Sequence, residues 1–119
     1  MSMLQSVLER VEGDLELLTE LVEMFPECAE ETLAELSEAC ARRDAHAARA
    51  AAHTLKGMCA NLALEQSAQL AKSLELASIA AQWDQCAELL SALRGEVQRE
   101  YELLASLVRQ ESSRADSDR

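Results

Sequence analysis

Apolar side chains recur at three- and four-residue steps along most of the chain, the spacing that places them on one face of an α-helix. From Leu15 to about Arg42 the stripe runs Leu15, Leu18, Leu21/Val22, Phe25, Cys28/Ala29, Thr32/Leu33, Leu36 and Ala39/Cys40. Pro26 falls inside it, yet the stripe keeps its phase on both sides, so a kink or short break is expected there and not a loop. Ahead of this segment, residues 2–12 carry Leu4, Val7, Leu8 and Val11, and Gly13-Asp14 reads as a stop followed by an N-cap. Asp44 is a natural N-cap for a third helix over about 45–61. A fourth, over about 65–80, aligns Ala68, Ala71, Leu74 and Ala77/Ser78. The last, over about 84–109, aligns Cys86, Leu90, Leu93, Val97, Tyr101, Leu104 and Val108. Four substantial helices with short connections predict an all-α fold, an antiparallel four-helix bundle with a short extra N-terminal helix at one end. The bundle is expected over residues 1–110. Residues 111–119 are polar and expected to form a frayed tail.

Composition narrows the function. Three glycines and one proline in 119 residues are too few for the turns of an all-β protein, and 49% hydrophobic residues suffice for a core. The net charge of −11 argues against nucleic acid and against an anionic membrane surface as partners. No apolar run approaches the roughly 20 residues that cross a bilayer. Met1 to Gly13 lacks the basic-then-apolar pattern of a secretion signal, so a cytoplasmic protein is expected. Cys28, Cys40, Cys59 and Cys86 include no C-x-x-C pair. They are expected to be small, buried, unpaired side chains in a monomeric protein, with no metal or cofactor.

The third segment carries the candidate chemistry. Its core stripe is Ala48, Ala51/Ala52, Leu55, Met58/Cys59 and Leu62. At about 100° per residue, His53 falls about 170° from the centre of that stripe and should face outward. Ala50, Gly57 and Ala60 are its nearest neighbours on that face, and none can shield an imidazole. Arg49 and Lys56 stand at i−4 and i+3, within reach of it, and Lys56 is expected to face solvent. Ala45 to Leu64 contains no Asp or Glu, where an even spread of the 22 acids would place about 3.7. An anion attached to His53 would thus meet two cations and no sequence-local acid. Gly57 costs roughly 1 kcal/mol against alanine inside a helix, which suits close approach by another molecule. A neutral imidazole nitrogen is a competent nucleophile near pH 7, and a phosphoryl group is an anion of the required kind. His46, two turns earlier, reads as surface. Taken singly, an exposed histidine, two cations or a helical glycine would be ordinary surface and packing features. Their conjunction is what points to chemistry.

At these residues the chain resembles the histidine phosphotransfer family, whose A-H-x-L-K-G motif stands here as Ala52-His53-Thr54-Leu55-Lys56-Gly57. The likeness continues through Ala60-Asn61-Leu62 to Leu74-Glu75, and upstream through Gly13-Asp14, Leu17-Leu18 and Phe25, covering roughly residues 10–108. The resemblance implies that His53 is the phosphoryl acceptor, that Lys56 supports the phosphoryl group and that Gly57 leaves room for a partner. It also implies that Glu75, on the following helix, orients the imidazole. Arg49, Ala50, Gly57 and Ala60 would form the binding face. The implied partners are response-regulator receiver domains, which supply the metal and most catalytic groups, and a hybrid histidine kinase. One departure stands at Ala63, where the family usually has glycine. Asn61 is therefore expected to supply the left-handed turn that ends the helix.

Two other functions compete. A histidine kinase dimerisation domain resembles H-E-x-x-x-P at its phosphorylated helix. Thr54 follows His53 here, with no proline behind it, and glycines at 13, 57 and 95 make no nucleotide-binding loop. A non-catalytic helical adaptor binding a signalling partner would need neither the acid-free window nor the helical glycine. The sequence thus favours a phosphoryl carrier without its own ATP-binding site.

Overall fold

The computed structural model describes residues 2–117, and among these there are five helices and no strand. They are α1 (Met3–Arg10), α2 (Leu15–Ala41), α3 (Ala45–Asn61), α4 (Glu65–Ile79) and α5 (Trp83–Ser117). Successive helices run antiparallel through connections of three or four residues, and α5 closes the ring by packing against both α4 and α2. At 1.5 Å per residue the 35 residues of α5 span about 52 Å, which accounts for the 54 Å long axis. The α3–α4 hairpin is only half as long. The remaining length of α2 and α5 is covered by α1, whose Val7 is fully buried. The core is leucine-rich: Leu18, Leu36, Leu55, Leu74, Leu93 and Leu104 have no solvent exposure.

The helix starts follow local chemistry. Asp14 accepts from the Leu17 N–H and Asp44 from the Ala47 N–H, both at 3.0 Å. Leu64, which precedes α4, has no side-chain acceptor. The buried Glu100 of α5 fills that role from across the bundle. Its carboxylate accepts from the Ser67 N–H and Ser67 hydroxyl, both at 2.7 Å, and from the Gln66 N–H at 3.2 Å.

The helix ends share one geometry, and that of α3 departs from expectation, while Gly13, read as the stop after α1, is in the left-handed region at φ 78°. Each of α1 to α4 closes with a residue in the left-handed region: Glu12, Arg43, Ala63 and Ala81, at φ between 54° and 58°. At each, the following N–H reaches back five residues, as from Leu64 to the Cys59 carbonyl at 2.9 Å. Ala63, and not Asn61, makes the turn after α3, and Asn61 is the last helical residue. The carbonyls at the helix end are satisfied by this geometry whether or not the residue is glycine, at a cost of about 1 kcal/mol for the Cβ.

Pro26 leaves α2 unbroken. It has no N–H to offer the Val22 carbonyl. The Tyr101 hydroxyl donates to that carbonyl at 2.8 Å, and the tyrosine ring stacks on Phe25 with centroids 5.5 Å apart. The polar residues expected to fray instead continue α5 to Ser117, helped by an Arg114–Glu111 pair at 2.7 Å. Residues 118 and 119 of that expected tail lie outside the described residues. The cysteines are all unpaired but not all buried: Cys59 and Cys86 are, Cys40 is half-buried and Cys28 is exposed. Burial pushes the Cys59 thiol up to about 12, with Glu100 adding to it. Burial, together with the neighbouring Cys86, pushes Cys40 up to about 11.

Candidate functional site

The wheel of α3 places its small and apolar residues inward. Ala48, Ala51, Ala52, Leu55 and Cys59 are buried, and His53 is turned to the opposite side with its side chain 63% exposed. Small residues let α4 lie close beside α3, and that approach brings Glu75 to the histidine. Glu75 is an outlier on α4, a carboxylate whose side chain is only 11% exposed. One oxygen, Oε2, lies 2.8 Å from His53 Nδ1, and the other, Oε1, lies 3.0 Å from Lys56 Nζ. Burial raises the affinity of Glu75 for a proton. Hydrogen bonds and charge from Lys56 and His53 outweigh it and hold the carboxyl below its ordinary value. Glu75 is therefore ionised at neutral pH and can only accept. The proton of the contact must sit on Nδ1, so in the neutral imidazole the free lone pair is on Nε2.

Lys56 is not the freely solvated residue that its sequence position suggested. Its side chain is 30% exposed and bends back to Glu75, because α4 supplies an anion that α3 lacks. Arg49 is exposed and forms no ion pair among the described residues. Ala50 is exposed, Ala60 is half-buried, and a Cβ placed on Gly57 would meet nothing within 4 Å. Packing against a neighbouring helix is thus not the reason for Gly57. Gly95, in α5, has equally open surroundings, and nothing in the structure explains it. His46 is exposed and, among the described residues, has no hydrogen-bonded partner comparable to Glu75. Among the described residues no three His, Cys, Asp or Glu side chains cluster as a metal site. No helix there is long and apolar enough to cross a membrane.

A second feature adjoins this face. An open, mostly apolar groove of about 590 Å³ runs between α2 and the ends of α1 and α3, lined by Leu21, Met24, Phe25, Cys28, Met58 and Leu62, with Arg10 at its α1 end. The sequence carries a signal of it that the periodicity argument passed over. Apolar positions in the first half of α2 come in adjacent pairs: Leu17-Leu18, Leu21-Val22, Met24-Phe25 and Cys28-Ala29. One member of each pair enters the core, and the other is left exposed.

The fold and this site together define a helical protein that holds one oriented imidazole at its surface. A family model described as Hpt domain matches residues 20–111, well over half of the chain, and the chain belongs to that family. Its members are phosphoryl carriers, not ATP-binding enzymes, and work by histidine phosphotransfer in two-component phosphorelays. No curated protein and no solved structure matched the chain.

Proposed function

We propose that this protein is a phosphorelay intermediate carrying the phosphoryl group on Nε2 of His53. It takes the group from the aspartyl phosphate of one response-regulator receiver domain, loaded by a hybrid histidine kinase, and yields it to the aspartate of another. The observation that carries the proposal is the 2.8 Å contact between His53 Nδ1 and the ionised Glu75. In the neutral imidazole Nε2 has a lone pair and no proton, and it attacks phosphorus directly. The Nε2–P bond forms, the P–O bond to the aspartate breaks, and the carboxylate leaves with the electron pair. No proton has to be moved. The imidazole becomes a cation that retains its Nδ1–H, and the Glu75 carboxylate is already placed against that charge. Stabilising the cation without trapping it suits a carrier that must also give the group away.

Lys56 and Arg49 flank the position of the transferred oxygens, and Lys56 also anchors Glu75. Ala50, Gly57 and Ala60 leave the space that an in-line approach requires. The carrier acts as a cytoplasmic monomer and brings no metal or cofactor; the receiver brings the metal. The test is to mix the purified protein with a panel of phosphorylated receiver domains. The expected label is acid-labile and base-stable, present in His46→Gln and absent from a normally helical His53→Gln. A label that survives in His53→Gln and vanishes in His46→Gln would reject the assignment.

A further inference from the structure

The groove beside His53 has an asymmetric border. Leu17, Leu21, Met24 and Cys28 follow one another at i, i+4, i+7 and i+11, a second apolar face of α2 one step round from the core face. Met24 is 61% exposed, and Leu17 and Leu21 are also uncovered. On the α3 wall the lining includes Asn61, which stands at i+4 from Gly57 as Gly57 does from His53, so the groove reaches the face that presents His53. On the far side, Glu20, Glu27 and Glu31 stand at i, i+7 and i+11, all exposed. None of the three forms an ion pair among the described residues, whereas Glu30 and Glu38 on the same helix do. An apolar strip with His53 on one side and an uncompensated acidic row on the other fits a partner of complementary charge.

Resting on the carrier function proposed above, we infer that this surface selects among receiver domains. It accepts a receiver whose apolar contact patch is edged by lysine or arginine, and Glu20, Glu27 and Glu31 are the specificity-determining residues. Their charges lie outside the apolar strip and remain hydrated, so they act on the rate of productive encounter. Met24 and Leu21 supply the contact area. A receiver with an acidic edge meets like charges across the same row and docks poorly even if its active site is chemically competent.

The test uses the receiver that loads wild-type protein fastest, and measures kcat/KM for transfer to His53 over a range of NaCl concentrations. For wild type, kcat/KM should fall as salt rises. The combined variant Glu20→Gln, Glu27→Gln, Glu31→Gln should be about tenfold slower at low salt, and the gap should close at high salt. Met24→Ser should raise KM at every salt concentration. Thermal melts of both variants should match wild type, since the altered side chains are exposed. Equal salt dependence in wild type and the triple variant, transfer that quickens with salt, or an unaltered KM in Met24→Ser would each overturn the inference and leave the carrier function standing. Failure of every receiver to load His53 would overturn the carrier function and this inference with it.

Discussion

Glu75 and Glu100 are both buried carboxylates on adjacent helices of one small bundle, 8% and 4% exposed. Burial alone does not tell them apart; their partners do. Glu100 points inward and accepts from two backbone N–H groups and a serine hydroxyl, so it completes the start of α4 and touches nothing that can titrate near neutrality. Glu75 points along the surface and divides its two oxygens between an imidazole and an ammonium group. The first arrangement fixes backbone and belongs to the fold. The second fixes a tautomer and belongs to chemistry. A buried acid is informative about function only when the group it holds can itself react.

Substitutions at the two positions should separate accordingly. Glu100→Ala removes the acceptor of three donors, two of them buried, and should lower stability by about 3 kcal/mol, a fall in Tm on the order of 10 °C. Transfer by the folded fraction should persist. Glu75→Leu should do the reverse, slowing transfer about a hundredfold while stability changes by less than about 1 kcal/mol. Glu75→Gln should recover most of the transfer rate, because its amide oxygen still accepts the Nδ1–H. A Glu75→Leu protein that transfers at the wild-type rate would erase the distinction between the two acids.

Acid should sharpen it. The folded-state pKa of Glu75 lies below its ordinary value of 4.5, so its contribution to stability is full above that value and is lost as pH falls through the lowered folded value. The stability gap between wild type and Glu75→Gln, measured from denaturant midpoints, should therefore narrow on going from neutral pH to below 4.5. A gap that stays constant would mean that Glu75 is not held as a carboxylate by its partners.

The smallest effects concern the two open glycines. Gly57→Ala and Gly95→Ala should each stabilise by roughly 0.5–1 kcal/mol, since neither added methyl meets an atom. Gly57→Gln should keep or raise the Tm and lose most of the transfer, because its side chain would project beside His53. A destabilised but transfer-competent Gly57→Gln would show that the glycine serves packing and not access.

Much of this was legible in the chain itself. The core faces of α2 and α3, the caps at Asp14 and Asp44, and the outward position of His53 all follow from periodicity and short-range chemistry. The chain's likeness to its family carried Glu75. What the sequence hid was mostly non-local. No spacing argument pairs Glu100 with the start of α4, 33 residues away, or Tyr101 with the carbonyl that Pro26 orphans, 79 residues from it. Lys56 looked free because its partner lies on another helix. Ala63 ends α3 in a conformation that glycine normally takes, since the surrounding hydrogen bonds outweigh the cost of a methyl group. The exposed strip on α2 was different: the doubled apolar pairs were visible, but one stripe merged Leu21 with Val22 and Cys28 with Ala29 and left Leu17 and Met24 out.

The account depends most on which atom bears the phosphorus. Protein labelled with ¹⁵N at its histidine rings, loaded from a phosphorylated receiver and observed by ¹⁵N and ³¹P NMR in neutral buffer, reports it directly. The account predicts a single phosphohistidine, His53, with phosphorus on Nε2 and a proton retained on Nδ1 in contact with Glu75. Phosphorus on Nδ1, or on any residue other than His53, would contradict it.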